Sequence, residues 1–174
     1  GANAAPFSLF NMVSVEPPTA MFSVSPRGQE IKDTVRNIEE HVPEFVVHIV
    51  NEATRERMNV TSADFPRGQS EIQAAGFLSV PSFKVQPPRL VECPVQLECR
   101  MLQVLRIGRR PTVMVIGEVV HFHFHEGLVN EELYVDAQAL GAIGRMEGNG
   151  AYIRTTHRFT MGRPQIPGVP ATSG

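Results

Sequence analysis

The run Ser23-Val24-Ser25-Pro26-Arg27, followed by Ile31-Lys32-Asp33-Thr34, holds the residues best placed to do chemistry. Hydroxyl side chains close a strand, a short loop turns, and a helix opens on a lysine, an aspartate and a threonine. A helix N-terminus carries unpaired N–H groups and the positive end of the backbone dipole, which suits a phosphate. Lys32 adds a full positive charge and Thr34 a hydroxyl donor. Asp33 would repel a phosphate, so it is expected to hold the first turn through backbone N–H groups. An ordinary capped helix with a solvated lysine has the same residues.

Three other stretches bear on function. In Asn3-Ala4-Ala5-Pro6-Phe7-Ser8-Leu9-Phe10-Asn11, small residues precede a strand carrying Ser8 and Asn11. Small side chains let a flat ligand approach the backbone, and hydroxyl and amide groups fix its polar edge. His121, His123 and His125 alternate with Phe122 and Phe124, so in a strand the three imidazoles share one face and the phenyl rings fill the core side. Two of them could share a metal, but the outer two stand nearly 14 Å apart at about 3.4 Å per residue, so no single ion takes all three. A solvated or interfacial barrel face fits the pattern better. The glycine-rich stretch Gly141–Tyr152 carries Arg145 and Tyr152 but lacks the Gly-x-Gly-x-x-Gly order of a dinucleotide fold. There is no Gly-x-Ser-x-Gly elbow and no Walker loop, so covalent catalysis has no candidate nucleophile.

These residues need strands to hold them. Phe7–Ser14 and Thr19–Ser25 read as strands joined across Glu16-Pro17-Pro18, and 31–41 as a helix with an apolar stripe of Ile31, Val35 and Ile38. Glu44–Asn51 is apolar on both faces, as in a strand covered on both sides. Short helices are predicted over Glu52–Asn59 and Ser70–Ala75, the second ended by Gly76. In Val95–Ile107, Val95, Leu97, Cys99, Met101, Leu105 and Ile107 fall on one face, with Gln96, Glu98, Arg100 and Arg106 on the other. Thr112–His125 is a second long strand with a bulge or bend expected at Gly117. Asp136 is placed to cap a helix through Leu140, and Ala151–Thr160 reads as a last strand. Long strands with few short helices favour a mainly β barrel over a layered α/β sheet.

Composition agrees with one domain. The 174 residues, 42% hydrophobic and 20% charged, suffice for a single core. A net charge of -2 gives no reason to expect nucleic acid or an anionic membrane as partner, and no apolar run is long enough to cross a bilayer. Cys93 and Cys99, read within one strand, would lie about 20 Å apart, too far for a disulfide. A reduced, cytoplasmic protein is expected. The domain is read as 1–162, with 163–174 an extended proline-rich tail that could drape over a partner subunit.

Taken in order, the pieces carry a resemblance. Asn3 to Asn11, Pro17-Pro18, Lys32-Asp33-Thr34 with Asn37-Ile38, Glu44-Phe45-Val46-Val47, Ser70-Glu71 and Ala75-Gly76 are followed by Leu97-Glu98-Cys99, Gly117-Glu118-Val119, Gly144-Arg145 and Tyr152. This set resembles the flavin reductase-like family, which includes the flavin-supplying component of nitrilotriacetate monooxygenase and the flavoredoxins, from Asn3 to about Pro164. Family members usually carry a further strand ahead of the Gly-x-Asn-Ala segment, within which this sequence begins. The resemblance implies a split β-barrel with a few short helices, binding FMN as a homodimer with the flavin near the subunit interface. It places Lys32, Asp33 and Thr34 at the FMN phosphate, and Ser8, Phe10 and Asn11 along the ribityl chain and ring. Ser23, Val24 and Ser25 would line the same cleft, with Arg145 and Tyr152 approaching from the late loop. The implied activity is hydride transfer from NADH or NADPH to flavin, which requires no side-chain acid or base, so no catalytic residue is assigned. The alternative is a flavoredoxin-like electron carrier reduced by a protein partner. A monooxygenase or another electron-acceptor protein would then receive the electrons.

Overall fold

In the computed structural model, residues 2–26, 32–66, 68–110 and 112–165 are described. In chain order these form β1 (Phe10–Val15), β2 (Pro18–Val24), α1 (Asp33–Arg36) running into a π-helical turn (Asn37–His41), β3 (Glu44–Ile49), α2 (Arg55–Val60) and α3 (Glu71–Ala74). After them come β4 (Ser79–Val80), β5 (Arg89–Leu90), β6 (Val95–Ile107), β7 (Thr112–Phe124), α4 (Ala137–Leu140), β8 (Ile143–Arg145) and β9 (Tyr152–Arg154). The main sheet is five-stranded, in the order β1-β2-β7-β6-β3, and every pairing in it is antiparallel. β4–β5 and β8–β9 are separate two-stranded ribbons. The chain is mainly β, with a few short helices. No helix among the described residues is long and apolar enough to cross a membrane.

The core lies on one face of this sheet. Ala20, Phe22 and Val24 of β2 meet Phe45, Leu97, Cys99, Val113, Val115 and Val119, with Val35 and Ile38 closing over them. Phe22 stands at the centre, 4.9 Å from the Phe7 ring and edge-on to Phe45 at 5.2 Å. Aromatic pairs in these tilted arrangements add to the burial of their area. Gly117 is required here for space rather than for a bend. A Cβ built on it would stand 2.6 Å from Cζ of Phe45 and 3.0 Å from the Arg100 carbonyl oxygen.

Bulges break the predicted alternation of β6. Met101 pairs with Gly117 but Gln103 with Ile116, so Leu102 is extra and the strand changes phase there. Val104, opposite fully buried Val115, then packs on the core, while Leu105 and Ile107 turn outward instead of completing the apolar row. A second shift, at Val120 of β7, sets His121 opposite Glu98 and Phe122 opposite Leu97. Phe122 and Phe124 do share a face with Leu97 and Val95, but they stay 41% and 40% exposed and stack on each other at 6.3 Å.

Other boundaries move for local reasons. The first strand starts at Phe10, and the 31–41 helix is α-helical only over Asp33–Arg36 before it widens, with Val42 N–H reaching the Asn37 carbonyl at 2.9 Å. Ile31 and Arg27 lie outside the described residues. Asp33 does not cap the first turn: the cap position belongs to Lys32, which makes no side-chain cap bond, and Asp33 instead pairs with Arg36 at 3.4 Å. Helix α2 starts later than expected, and Cys93 lies ahead of β6 rather than in it. Ser70 caps α3 and Asp136 caps α4, where Gly141 ends the helix at φ 55°. The last strand is confined to Tyr152–Arg154; residues 155–165 are exposed, and 166–174 lie outside the described residues.

Candidate functional site

A cavity of about 750 Å³ opens between the N-terminal segment and β3. That volume falls within the roughly 300–1,000 Å³ typical of small-molecule sites. One wall consists of Ala2 to Ser8, Phe10, Thr34, Asn37 and His41. The side chains of that wall are tied together: Asn3 donates from Nδ2 to Thr34 Oγ1 at 2.9 Å and accepts at Oδ1 from Asn37 Nδ2 at 2.8 Å. The π turn supplies Asn37, Ile38 and His41 to the cavity, consistent with the tendency of such turns to occur at functional sites.

The opposite wall is β3 together with Gln86, Pro87, Pro88 and Leu90. An apolar recess behind it is lined by Met58, Ile72, Phe77 and Cys93. β8–β9 closes the remaining side with Arg145 and Tyr152. It is docked on the end of β3 by Ile143 N–H to the Val50 carbonyl at 3.2 Å, and by Arg154 against Glu52 at 2.7 Å.

Of the residues singled out from sequence, Ser8, Phe10, Thr34, Arg145 and Tyr152 therefore meet at one cavity. Lys32 does not line it, but its Nζ lies 5.8 Å from the centre of the ring of Phe7, which does. Asp33 and Asn11 are exposed and away from it. Ser23, Val24 and Ser25 are not on its surface: Val24 is in the core, and the Ser23 N–H is spent on the Leu9 carbonyl at 2.8 Å. Arg145 uses its guanidinium on its own turn, donating to the Glu147 and Gly148 carbonyls at 3.3 and 3.1 Å. Asn3 was not singled out individually, although it stands in the small-residue segment; its role depends on contacts with residues more than thirty positions away.

Two of the titratable groups that line the cavity, Cys93 and His48, are shifted by burial. Burial, then the nearby Glu92 charge, pushes the Cys93 thiol up to about 12, which leaves it protonated. Burial also pushes the His48 ring down to about 4, opposed by its hydrogen bond to the Val46 backbone and assisted by the Arg89 charge. His48 is thus neutral, and its Nε2 accepts from the Leu90 N–H at 2.9 Å. On the histidine face His125 is exposed, while His121 and His123 are partly buried. His123 Nε2 lies 2.6 Å from Oε1 of fully buried Glu98, with the Phe83 ring against it. Among the described residues no cluster of three His, Cys, Asp or Glu is arranged to hold a metal ion.

A family pattern described as "Flavin reductase like domain" matches residues 1–144. The crystal structure of nitrilotriacetate monooxygenase component B from Bacillus cereus is 34% identical, with a TM-score of 0.86 over 91% of this chain and 79% of that one. That of 2-nitrobenzoate 2-nitroreductase from Pseudomonas fluorescens is 35% identical, with a TM-score of 0.82 over 98% of this chain and 81% of that one. A split barrel domain from Shewanella frigidimarina, 19% identical, shares the fold at a TM-score of 0.82 over 93% and 79% of the two chains.

Proposed function

Because this chain belongs to the flavin reductase-like family, a split-barrel fold, we propose that it binds FMN in the cavity and serves as an NAD(P)H-dependent flavin oxidoreductase. The observation that best supports this reading is the convergence of Ser8, Phe10, Thr34, Arg145 and Tyr152 on one cavity, from five separate elements and loops. The residues present suit a flavin. Ala2, Ala4 and Ala5 leave room for a flat ring beside the backbone, and Phe7 and Phe10 offer it apolar surface. Asn3, Thr34 and Asn37 supply polar atoms already held in position by one another. Lys32 and Thr34 would take the phosphate at the start of the helical segment.

The flavin, when bound, supplies the capacity to accept a hydride from a nicotinamide. The chain's own part is to bind, orient and exclude water. Hydride transfer to the flavin needs no side-chain acid or base, so neutral His48 and protonated Cys93 are read as part of the wall rather than as proton carriers. The similarity to monooxygenase component B favours delivery of reduced flavin or electrons to a partner oxygenase. We further propose a homodimer that covers Phe122 and Phe124, and a reducing, cytoplasmic setting suited to two buried free cysteines.

Titration of the purified protein with FMN and with riboflavin tests the binding step. Tighter binding of FMN is expected from the phosphate contacts; equal affinity for the two would remove Lys32 and Thr34 from the site.

A further inference from the structure

One wall of the cavity is held in an unusual way. Between β4 and β5 the chain from Ser82 to Pro88 crosses the outer face of β3, β6 and β7 without joining a ladder. Its backbone is held by side chains instead. Glu98 accepts from two consecutive N–H groups, Phe83 at 2.8 Å and Lys84 at 2.6 Å. Glu44 accepts from the Gln86 N–H at 2.8 Å, and Arg100 donates to the Lys84 carbonyl at 3.1 Å. At the far end, His48 accepts from Leu90 N–H, and Arg89 donates to Gln96 at 2.9 Å.

Glu98 is the centre of this arrangement. It is 0% exposed, on a sheet face where a carboxylate is costly to bury, and its neighbours satisfy it with two N–H groups and His123. Arg89 Nε adds a charge at 3.7 Å while its guanidinium lies over the Phe83 ring at 5.1 Å. A buried carboxylate serving a loop rather than a catalytic step is best explained by what the loop does. The tip of this strap, Gln86-Pro87-Pro88, lines the cavity on the side away from Asn3, Ser8 and Thr34.

We infer that Glu98 is a positioning residue: it fixes the Phe83–Pro88 strap as the cavity wall that fits the second substrate, opposite the wall assigned to FMN. This rests on the proposed FMN and nicotinamide reading for the identity of that substrate, but not for the anchoring itself. Glu98→Gln keeps the volume of the side chain and loses the charge that gathers two N–H groups.

The test measures three quantities on full-length wild type and Glu98→Gln. The first is trypsin cleavage after exposed Lys84 in the strap. With a charge-assisted contact weakened, cleavage there should be about ten-fold faster, with melting temperature changed by only a few degrees. The second and third are the KM for NADH or NADPH and the FMN dissociation constant. KM should rise about three- to ten-fold while kcat and FMN affinity stay within about two-fold.

Unchanged cleavage at Lys84 in a folded Glu98→Gln would overturn the anchor. Faster cleavage with unchanged KM, or with FMN affinity weakened as much as KM, would overturn the assignment of the wall. If Glu98→Gln does not fold, Arg100→Ala removes the bond to the Lys84 carbonyl from an exposed position outside the cavity lining, and the same outcomes decide. If wild-type flavin is reduced by neither nucleotide, the proposed activity fails, and cleavage at Lys84 still decides the anchor.

Discussion

Lys32 isolates the phosphate contact from the rest of the fold. Its amine reaches over Phe7, which lines the cavity, and its side chain makes no cap bond. Lys32→Ala should leave the melting temperature of the FMN-free protein nearly unchanged, as most surface substitutions do. If the ammonium contacts the FMN phosphate, its loss costs roughly 1.5–3 kcal/mol, or about ten- to a hundred-fold in affinity. Riboflavin binding should barely change, and paired titrations with the two flavins read the difference. His48 gives a pH prediction. Its folded value of about 4 lies below the ordinary 6.5, so the unfolded chain binds the proton more readily. Stability is therefore full above about pH 6.5 and declines as pH falls toward 4, by about 3 kcal/mol in total. Glu98, also held below its usual value because its hydrogen-bond partners outweigh burial, extends the loss to lower pH. Melting curves of His48→Gln across pH 4–7 should show a shallower slope than wild type; equal slopes would assign the acid sensitivity elsewhere.

At the scale of elements, close approach matters more than intrinsic preference. Gly117→Ala puts a methyl group where the Phe45 ring and the Arg100 carbonyl already stand. Because Phe45 is wedged against Phe22, the ring cannot swing freely, and a loss of about 1–3 kcal/mol is expected in denaturant melts. The sequence pattern marked this glycine as special but could not show why, since its neighbours come from β3 and β6. Both long strands, the Asp136 cap, the short helix after Ser70 and the turn at Gly76 were legible, because each depends on local periodicity or a side chain beside its own backbone. The phase change at Leu102 was not, for a bulge appears only when the partner strand is in place. Glu98 likewise read as one polar residue on a solvent face. Its burial comes from a strap fourteen residues away, whose prolines read only as turn signals.

For the whole molecule, the ordered set of short motifs was more informative than any one of them. It pointed to the family and to the two ends of the candidate site, Ser8 with Thr34 and Arg145 with Tyr152, which the fold brings to one cavity. It also gathered Ser23, Val24, Ser25 and Asn11, which do not line the cavity, although Phe10 and Phe22 of the same strands do. The exposed pair Phe122 and Phe124 bears on assembly: light scattering at micromolar concentration should give about twice the 19.2 kDa of one chain. A monomer would remove the proposed interface.

The central claim is that the cavity holds FMN where a nicotinamide can reduce it. Anaerobic stopped-flow mixing of the FMN-loaded protein with NADH, and separately with NADPH, tests it most directly. The account predicts bleaching of the flavin absorbance with at least one nucleotide, at a rate that saturates as the nucleotide is raised. Bound flavin that stays oxidised with both, yet bleaches with a chemical reductant, would contradict the reductase reading and leave a carrier reduced by a protein partner.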